Sequence, residues 1–221
     1  MTRNPGAEFQ GRVAVIALAA CRDHGFALAG GQALIAHGIV NRATEDIDIF
    51  TDEPAGVQWA CETVTAALVA AGYAVHAVSE MAELEELFSG FGEDLAELEI
   101  SEGEHIVRLQ LARFDRHRAP VVMEIGPVLH IDDVLGSKVA AMATRAEPRD
   151  YIDVAAALRV RGPDELRRLA KEADPALGED DLQAAMSRLD RLDDSVFIDL
   201  YGLSPAEVEP LRRAFDDWPR G

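Results

Sequence analysis

Asp46 and Asp48 stand one residue apart in the segment Asp46-Ile47-Asp48-Ile49-Phe50. Acids alternating with isoleucines read as a strand. Successive strand side chains point to opposite faces, so the two carboxylates share one face and the isoleucines the other. Neighbouring carboxylates repel, and a cation relieves the repulsion. A divalent metal, which takes hard oxygen ligands, is the chemistry this pair suggests. Upstream, Gly30-Gly31 follows the short apolar run Phe26-Ala27-Leu28-Ala29 and opens a helical stretch. A glycine turn at the start of a helix offers backbone N–H groups to an anion and lets a phosphate approach without a Cβ in the way. Arg42 and Thr44 come just before the carboxylates, where a guanidinium and a hydroxyl could reach phosphate oxygens. Together these residues describe a site for a nucleoside triphosphate with one Mg²⁺ ion or two, able to activate an attacking hydroxyl.

A second cluster lies further on. Of the 21 basic residues only Lys138 and Lys171 are lysines; the others are arginines. Lys138 is followed by Val139-Ala140-Ala141-Met142, which places it at the edge of a buried helix face and in need of an anionic partner. Arg145, Arg149, Asp150 and Asp153 follow. Two acids three apart on a helix present to one side, and Asp153 is expected to bond Arg149 or Arg145. His37, on the helix after the glycines, reads as a packed or capping histidine. The run Arg167-Arg168-Leu169-Ala170-Lys171 reads as a solvated helix face and as a candidate RNA contact, with Arg113, Arg116 and Arg118 as rivals.

The elements that must position these residues follow from periodicity. Helices are expected over 8–24, 30–37 and 55–71. Strands are expected over 26–29, 45–51, 73–78 and 120–125, with a hairpin over 96–101 and 105–113. Residues 81–91 fit neither pattern. After Gly126-Pro127 the strand signals stop, and helices are expected over 132–146, 150–160, from Pro163 onward, and over 179–192 and 205–218. This divides the chain into an α/β core over 1–126 and a helical bundle over 127–221 packed on that core, an α+β pattern.

With 221 residues, 48% of them hydrophobic, the chain can bury a substantial core. Its 40 acids and 21 bases give a formal net charge of −19. Such a chain repels polyanions at long range, which argues against broad duplex DNA binding but leaves room for a local patch that handles a nucleotide or one RNA end. Cys21 and Cys61 sit in apolar helical patterns and read as buried, reduced thiols, and no Cys/His metal spacing occurs. No apolar run resembles a signal peptide or reaches membrane-spanning length, so a soluble, cytoplasmic protein without a membrane partner is expected.

The order Gly30-Gly31, then Arg42-Ala43-Thr44-Glu45-Asp46-Ile47-Asp48, then Lys138, then Arg149-Asp150-Tyr151-Ile152-Asp153 resembles the nucleotidyltransferase superfamily with the DNA polymerase β-like fold. More closely it resembles the AbiEii/AbiGii toxin family, which includes MenT-like toxins. The resemblance implies a mixed sheet flanked by helices, followed by a helical region. It implies catalytic Mg²⁺ on Asp46 and Asp48, the triphosphate at Gly30, Gly31, Arg42, Thr44 and Arg149, phosphate pairing by Lys138, and Asp150 as the acid of the last motif. It further implies transfer of a nucleoside monophosphate from an NTP to a hydroxyl with release of pyrophosphate, in a type IV-like toxin–antitoxin system that modifies tRNA 3′ ends beside a cognate antitoxin. One departure stands out. Many superfamily members carry a third carboxylate on a later strand, where this chain has Gln110, and Glu124 on the next expected strand is the substitute. Two alternatives follow: an acceptor that is an aminoglycoside-like antibiotic or a protein side chain, or a non-catalytic nucleotide-binding module.

Overall fold

In a computed structural model, residues 5–78 and 94–220 are described, and the ambiguous stretch 81–91 lies outside them. The chain divides into two compact units, residues 1–130 and 131–221.

The first unit is built on a seven-stranded mixed sheet: β1 (Ala27–Leu28), β2 (Asp46–Thr51), β3 (Ala74–Ala77), β4 (Leu95–Glu102), β5 (His105–Arg113), β6 (Val121–Met123) and β7 (Gly126–Val128). Their spatial order is β3-β4-β5-β2-β1-β7-β6. Strand β2 runs antiparallel to β1 and parallel to β5. Ile47, Ile49, Leu109, Leu111, Leu98 and Ile100 share one face and are almost fully buried. Helices α1 (Pro5–Ala20) and α3 (Gly56–Ala70) contribute Phe9, Val13, Ala17, Val57, Ala60, Val64 and Leu68 to the same core, at the spacing of a helix with one apolar stripe. The opposite face carries Asp46, Asp48, Arg108, Gln110, Glu97 and Glu99, all half-buried or exposed. The short helix α2 (Gly30–Ala36) begins two residues after β1.

Three expectations change. The helix expected over 8–24 stops at Ala20, and a single 3-10 turn, Arg22–His24, leads to Gly25 in the left-handed region. The strand expected over 120–125 is a hairpin: β6 turns through Glu124 and Ile125 into β7, which pairs with β1. The sheet thus continues through Gly126 and Pro127, and Glu124 is exposed at a turn on the β6 edge, with β7 and β1 between that edge and β2.

The second unit is a bundle of six helices: α4 (Ile131–Thr144), α5 (Pro148–Ala157), α6 (Pro163–Ala173), α7 (Glu179–Leu189), α8 (Asp194–Tyr201) and α9 (Pro205–Arg213). Helix α4 packs against α5, α6 and α7. Its Gly136 allows the closest approach, since a Cβ there would lie 2.5 Å from the carbonyl oxygen of Leu169. Tyr151 donates its hydroxyl to Ala185 O at 2.7 Å, and burial pushes its pKa up to about 12. Helix α8 was absent from the expected elements.

Both cysteines are free. Burial pushes the Cys21 thiol up to about 12 while it donates to Ala17 O, and it raises Cys61 as well. Neither is poised as a thiolate at neutral pH.

Candidate functional site

Gly30 lies directly against Asp48. Gly30 has φ +57, and a Cβ there would lie 1.7 Å from Asp48 Oδ2 and 2.6 Å from its carboxyl carbon. The carboxylate therefore occupies the space any other residue's side chain would need. The backbone brings the two segments together: Ala29 N–H donates to Asp48 O at 2.7 Å, and Gly30 then turns the chain into α2. At Gly31 a Cβ would meet the Thr44 methyl at 2.8 Å and an Arg42 guanidinium nitrogen at 3.5 Å. Thr44 is held by Gln10, whose amide donates to Thr44 O at 2.8 Å and whose carbonyl accepts from the Thr44 hydroxyl at 3.4 Å. Gln32 is nearly buried and reaches Asp46 O at 3.5 Å. Gly30, Gly31, Arg42, Thr44 and Asp48 thus converge, with Asp46 on the same strand face as Asp48. His37 anchors the end of α2 by a 2.8 Å contact with Leu129 O, in which its Nε2–H is the donor.

Sheet register extends this face. Asp46 lies opposite Arg108, which lies opposite Glu99; Asp48 lies opposite Gln110, which lies opposite Glu97. Gln110 Nε2 donates to Glu97 Oε1 at 3.3 Å. Glu97, Glu99 and Arg108 were not among the expected site residues. The signal was present: Glu97-Leu98-Glu99-Ile100 has the same alternation as Asp46-Ile47-Asp48-Ile49, but only register puts the two pairs on one face.

The donor set suits a hard cation. Mg²⁺ is commonly held by one or two carboxylates together with substrate phosphates, and Asp46 and Asp48 would supply the carboxylates, Asp48 standing in the space a side chain at Gly30 would fill. Among the described residues no group of three His, Cys, Asp or Glu side chains forms a metal cluster.

Lys138, Arg149 and Asp150 belong to the second unit. Lys138 Nζ stands 3.0 Å from Asp153 Oδ2, with Lys138 9% and Asp153 0% exposed. Asp153 thus pairs with Lys138, a partner the sequence did not suggest for it. Arg145 grips Asp150 with two hydrogen bonds, Nε to Oδ2 at 2.9 Å and Nη2 to Oδ1 at 2.7 Å. Asp150 also accepts from the Glu147 backbone N–H at 3.1 Å, which caps α5. Arg149 donates to Glu147 at 2.7 Å. In the 167–171 run, Arg167 pairs with Asp164, Arg168 with Glu172, and Lys171 donates to Leu177 O. Local partners thus neutralise both arginines of that run.

Comparison with known proteins gives these elements a context. The family model described as "Nucleotidyl transferase AbiEii toxin, Type IV TA system" matches residues 17–216. The fold is similar to that of MenT4, a nucleotidyltransferase toxin from Mycobacterium tuberculosis, at 17% identity over 96% of this chain and 83% of that one, with a TM-score of 0.60. It is also similar to JHP933 from Helicobacter pylori, at 17% identity over 96% of this chain and 88% of that one, with a TM-score of 0.58. No curated protein matches the sequence.

Proposed function

Since the chain belongs to the AbiEii family of nucleotidyltransferase toxins, we propose that it transfers a nucleoside monophosphate from an NTP bound with Mg²⁺ to an acceptor hydroxyl at the 3′ end of a tRNA, releasing pyrophosphate. Family membership makes the chain a nucleotidyltransferase rather than a non-catalytic module. The observation that carries the finer reading is the Asp48 carboxylate seated against Gly30. It brings a hard-oxygen donor against the backbone at the start of α2, an arrangement suited to a metal-bound triphosphate.

In this reading Asp46 and Asp48 hold the metal, which supplies charge neutralisation on the phosphates and a lowered pKa for the acceptor hydroxyl. Gly30 and Gly31 face the triphosphate, and their lack of side chains lets Asp48 and Thr44 close in on the start of α2. Arg42 offers a guanidinium and Thr44 a hydroxyl to the phosphate oxygens. The resemblance alone assigns Lys138 to phosphate pairing, Arg149 to the nucleotide and Asp150 to the last acidic motif. A cognate antitoxin and a cytoplasmic setting belong to the same reading. Among the described residues no helix is long and apolar enough to cross a membrane.

The test is transfer of label from each of the four α-labelled NTPs to pooled tRNA by the full chain. The wild type is expected to label tRNA with at least one NTP. Asp46→Asn and Asp48→Asn are expected to reduce labelling by about a hundredfold or more while keeping the wild-type melting temperature, because electrostatic stabilisation of phosphoryl transfer is lost. Full transfer by either variant would overturn the assignment.

A second acceptor class is favoured by one observation. Asp46, Asp48, Glu97 and Glu99 share a face with Arg108 among them, and an acid-rich face attracts a cationic acceptor. Label appearing on aminoglycosides and not on tRNA would select that class.

A further inference from the structure

The opposite side of Asp48 from Gly30 is occupied by Gln110, its register partner on β5. Gln110 is half-buried, and it donates its amide to Glu97 Oε1 at 3.3 Å. An ionised carboxylate only accepts hydrogen bonds, so the NH₂ group is the end of the amide that faces Glu97. The carbonyl Oε1 is the end left for a substrate. We propose that Gln110, its amide oriented by Glu97, positions the acceptor hydroxyl for attack by accepting its hydrogen bond. This rests on the nucleotidyl-transfer reading above and adds a residue to it.

The chemistry limits what Gln110 does. An amide carbonyl accepts a hydrogen bond but does not take up a proton at neutral pH, so Gln110 orients and does not act as a general base. The acceptor oxygen forms a bond to the α-phosphorus, the bond from that phosphorus to the bridging oxygen breaks, and pyrophosphate departs with the electron pair. The hydroxyl proton passes to water. Orienting the attacking oxygen is a large contribution in its own right, because a misplacement of about 1 Å can cost on the order of a hundredfold in rate. The row Asp48–Gln110–Glu97 supplies this without adding a third carboxylate beside the metal-binding pair. It gives the departure at Gln110 a function, with Glu97 as the residue that sets the amide's direction.

The location explains why Glu97 is a positioning residue and not a ligand. It lies on β4, with β5 between it and β2, and its carboxylate accepts the Gln110 amide hydrogen bond. Replacing it by glutamine keeps the shape but lets the Gln110 amide adopt either orientation. Replacing Gln110 by leucine removes the oxygen acceptor.

The experiment uses the full chain, α-labelled NTP and pooled tRNA, and measures three quantities for each variant: kcat and KM for the NTP, the ratio of transferred to hydrolysed nucleotide, and NTP affinity by calorimetry. Gln110→Leu is expected to lower kcat by about a hundredfold and Glu97→Gln by about tenfold. In both, NTP affinity and KM should stay at the wild-type value and the product ratio should shift toward free nucleoside monophosphate. A purely structural role would move affinity and melting temperature together and leave the product ratio unchanged, and that result would overturn the proposal. Wild-type kcat in both Glu97→Gln and Gln110→Leu, with Asp48→Asn inactive, would sink Gln110's role while leaving the nucleotidyl-transfer reading in place. A wild type that transfers to no acceptor would remove both.

Discussion

Gly30 and Lys138 show two ways a single residue can be constrained. At Gly30 the constraint is space and backbone: the left-handed φ of +57 and the Asp48 carboxylate both exclude a side chain. At Lys138 it is charge. Lys138 and Asp153 form a pair with almost no solvent access, so removing one partner takes a buried ion pair apart. Lys138→Ala is expected to lower unfolding free energy by about 3–5 kcal/mol. The double variant Lys138→Met with Asp153→Leu should recover most of that loss in urea denaturation, because well-packed apolar residues replace a buried pair at little cost. If the assignment of Lys138 to a phosphate is right, the double variant will be stable and still deficient in transfer. Recovered stability together with recovered activity would make Lys138 structural only.

At the scale of elements, register and helix approach decide what meets what. The parallel pairing of β2 with β5 sets Asp46 and Asp48 beside Arg108 and Gln110. A one-residue slip would turn the carboxylates into the core. Between α4 and α6, Gly136 meets backbone, which cannot swing away as a side chain can. Gly136→Ala is therefore expected to cost about 1–3 kcal/mol by overpacking, read as a lowered urea midpoint; an unchanged midpoint would mean the helices separate freely. Much of this level was legible beforehand: the helices that flank the sheet, the β4–β5 hairpin and most of the bundle follow from periodicity. The misses have physical reasons. The β6–β7 turn at Glu124-Ile125 carries no glycine or asparagine in its two central positions, so the run Val121-Val122-Met123-Glu124-Ile125 reads as one strand. Helix α8 is only eight residues long, too short for a clear apolar stripe. Its ends were nonetheless marked, by Asp193 accepting from Ser195 N–H at 2.9 Å and by Gly202 in the left-handed region.

For the whole molecule, net charge is the dominant quantity. At −19 the chain repels an RNA acceptor until the two are close. Raising ionic strength from about 0.01 M to about 0.15 M shortens the screening length from about 30 Å to about 8 Å. With a tRNA acceptor, kcat/KM for the acceptor is thus expected to rise over that range. With a cationic acceptor it is expected to fall. Steady-state transfer measured across the salt series tells the two classes apart, and a fall with tRNA would show that a local basic patch, rather than the net charge, governs the encounter.

The amino-acid order alone determined the alternation that puts Asp46 and Asp48 on one face, the glycines that open a helix beside them, and the helical character of the second half. These depend on local geometry, in which residue spacing translates directly into direction. The tertiary structure decided that Asp48 fills the space at Gly30, that Glu97 and Gln110 join Asp48 in one row, and that Asp153 answers Lys138. Each of these depends on which strand or helix lies beside which, a choice made by burial of the apolar faces, and no spacing along the chain encodes it.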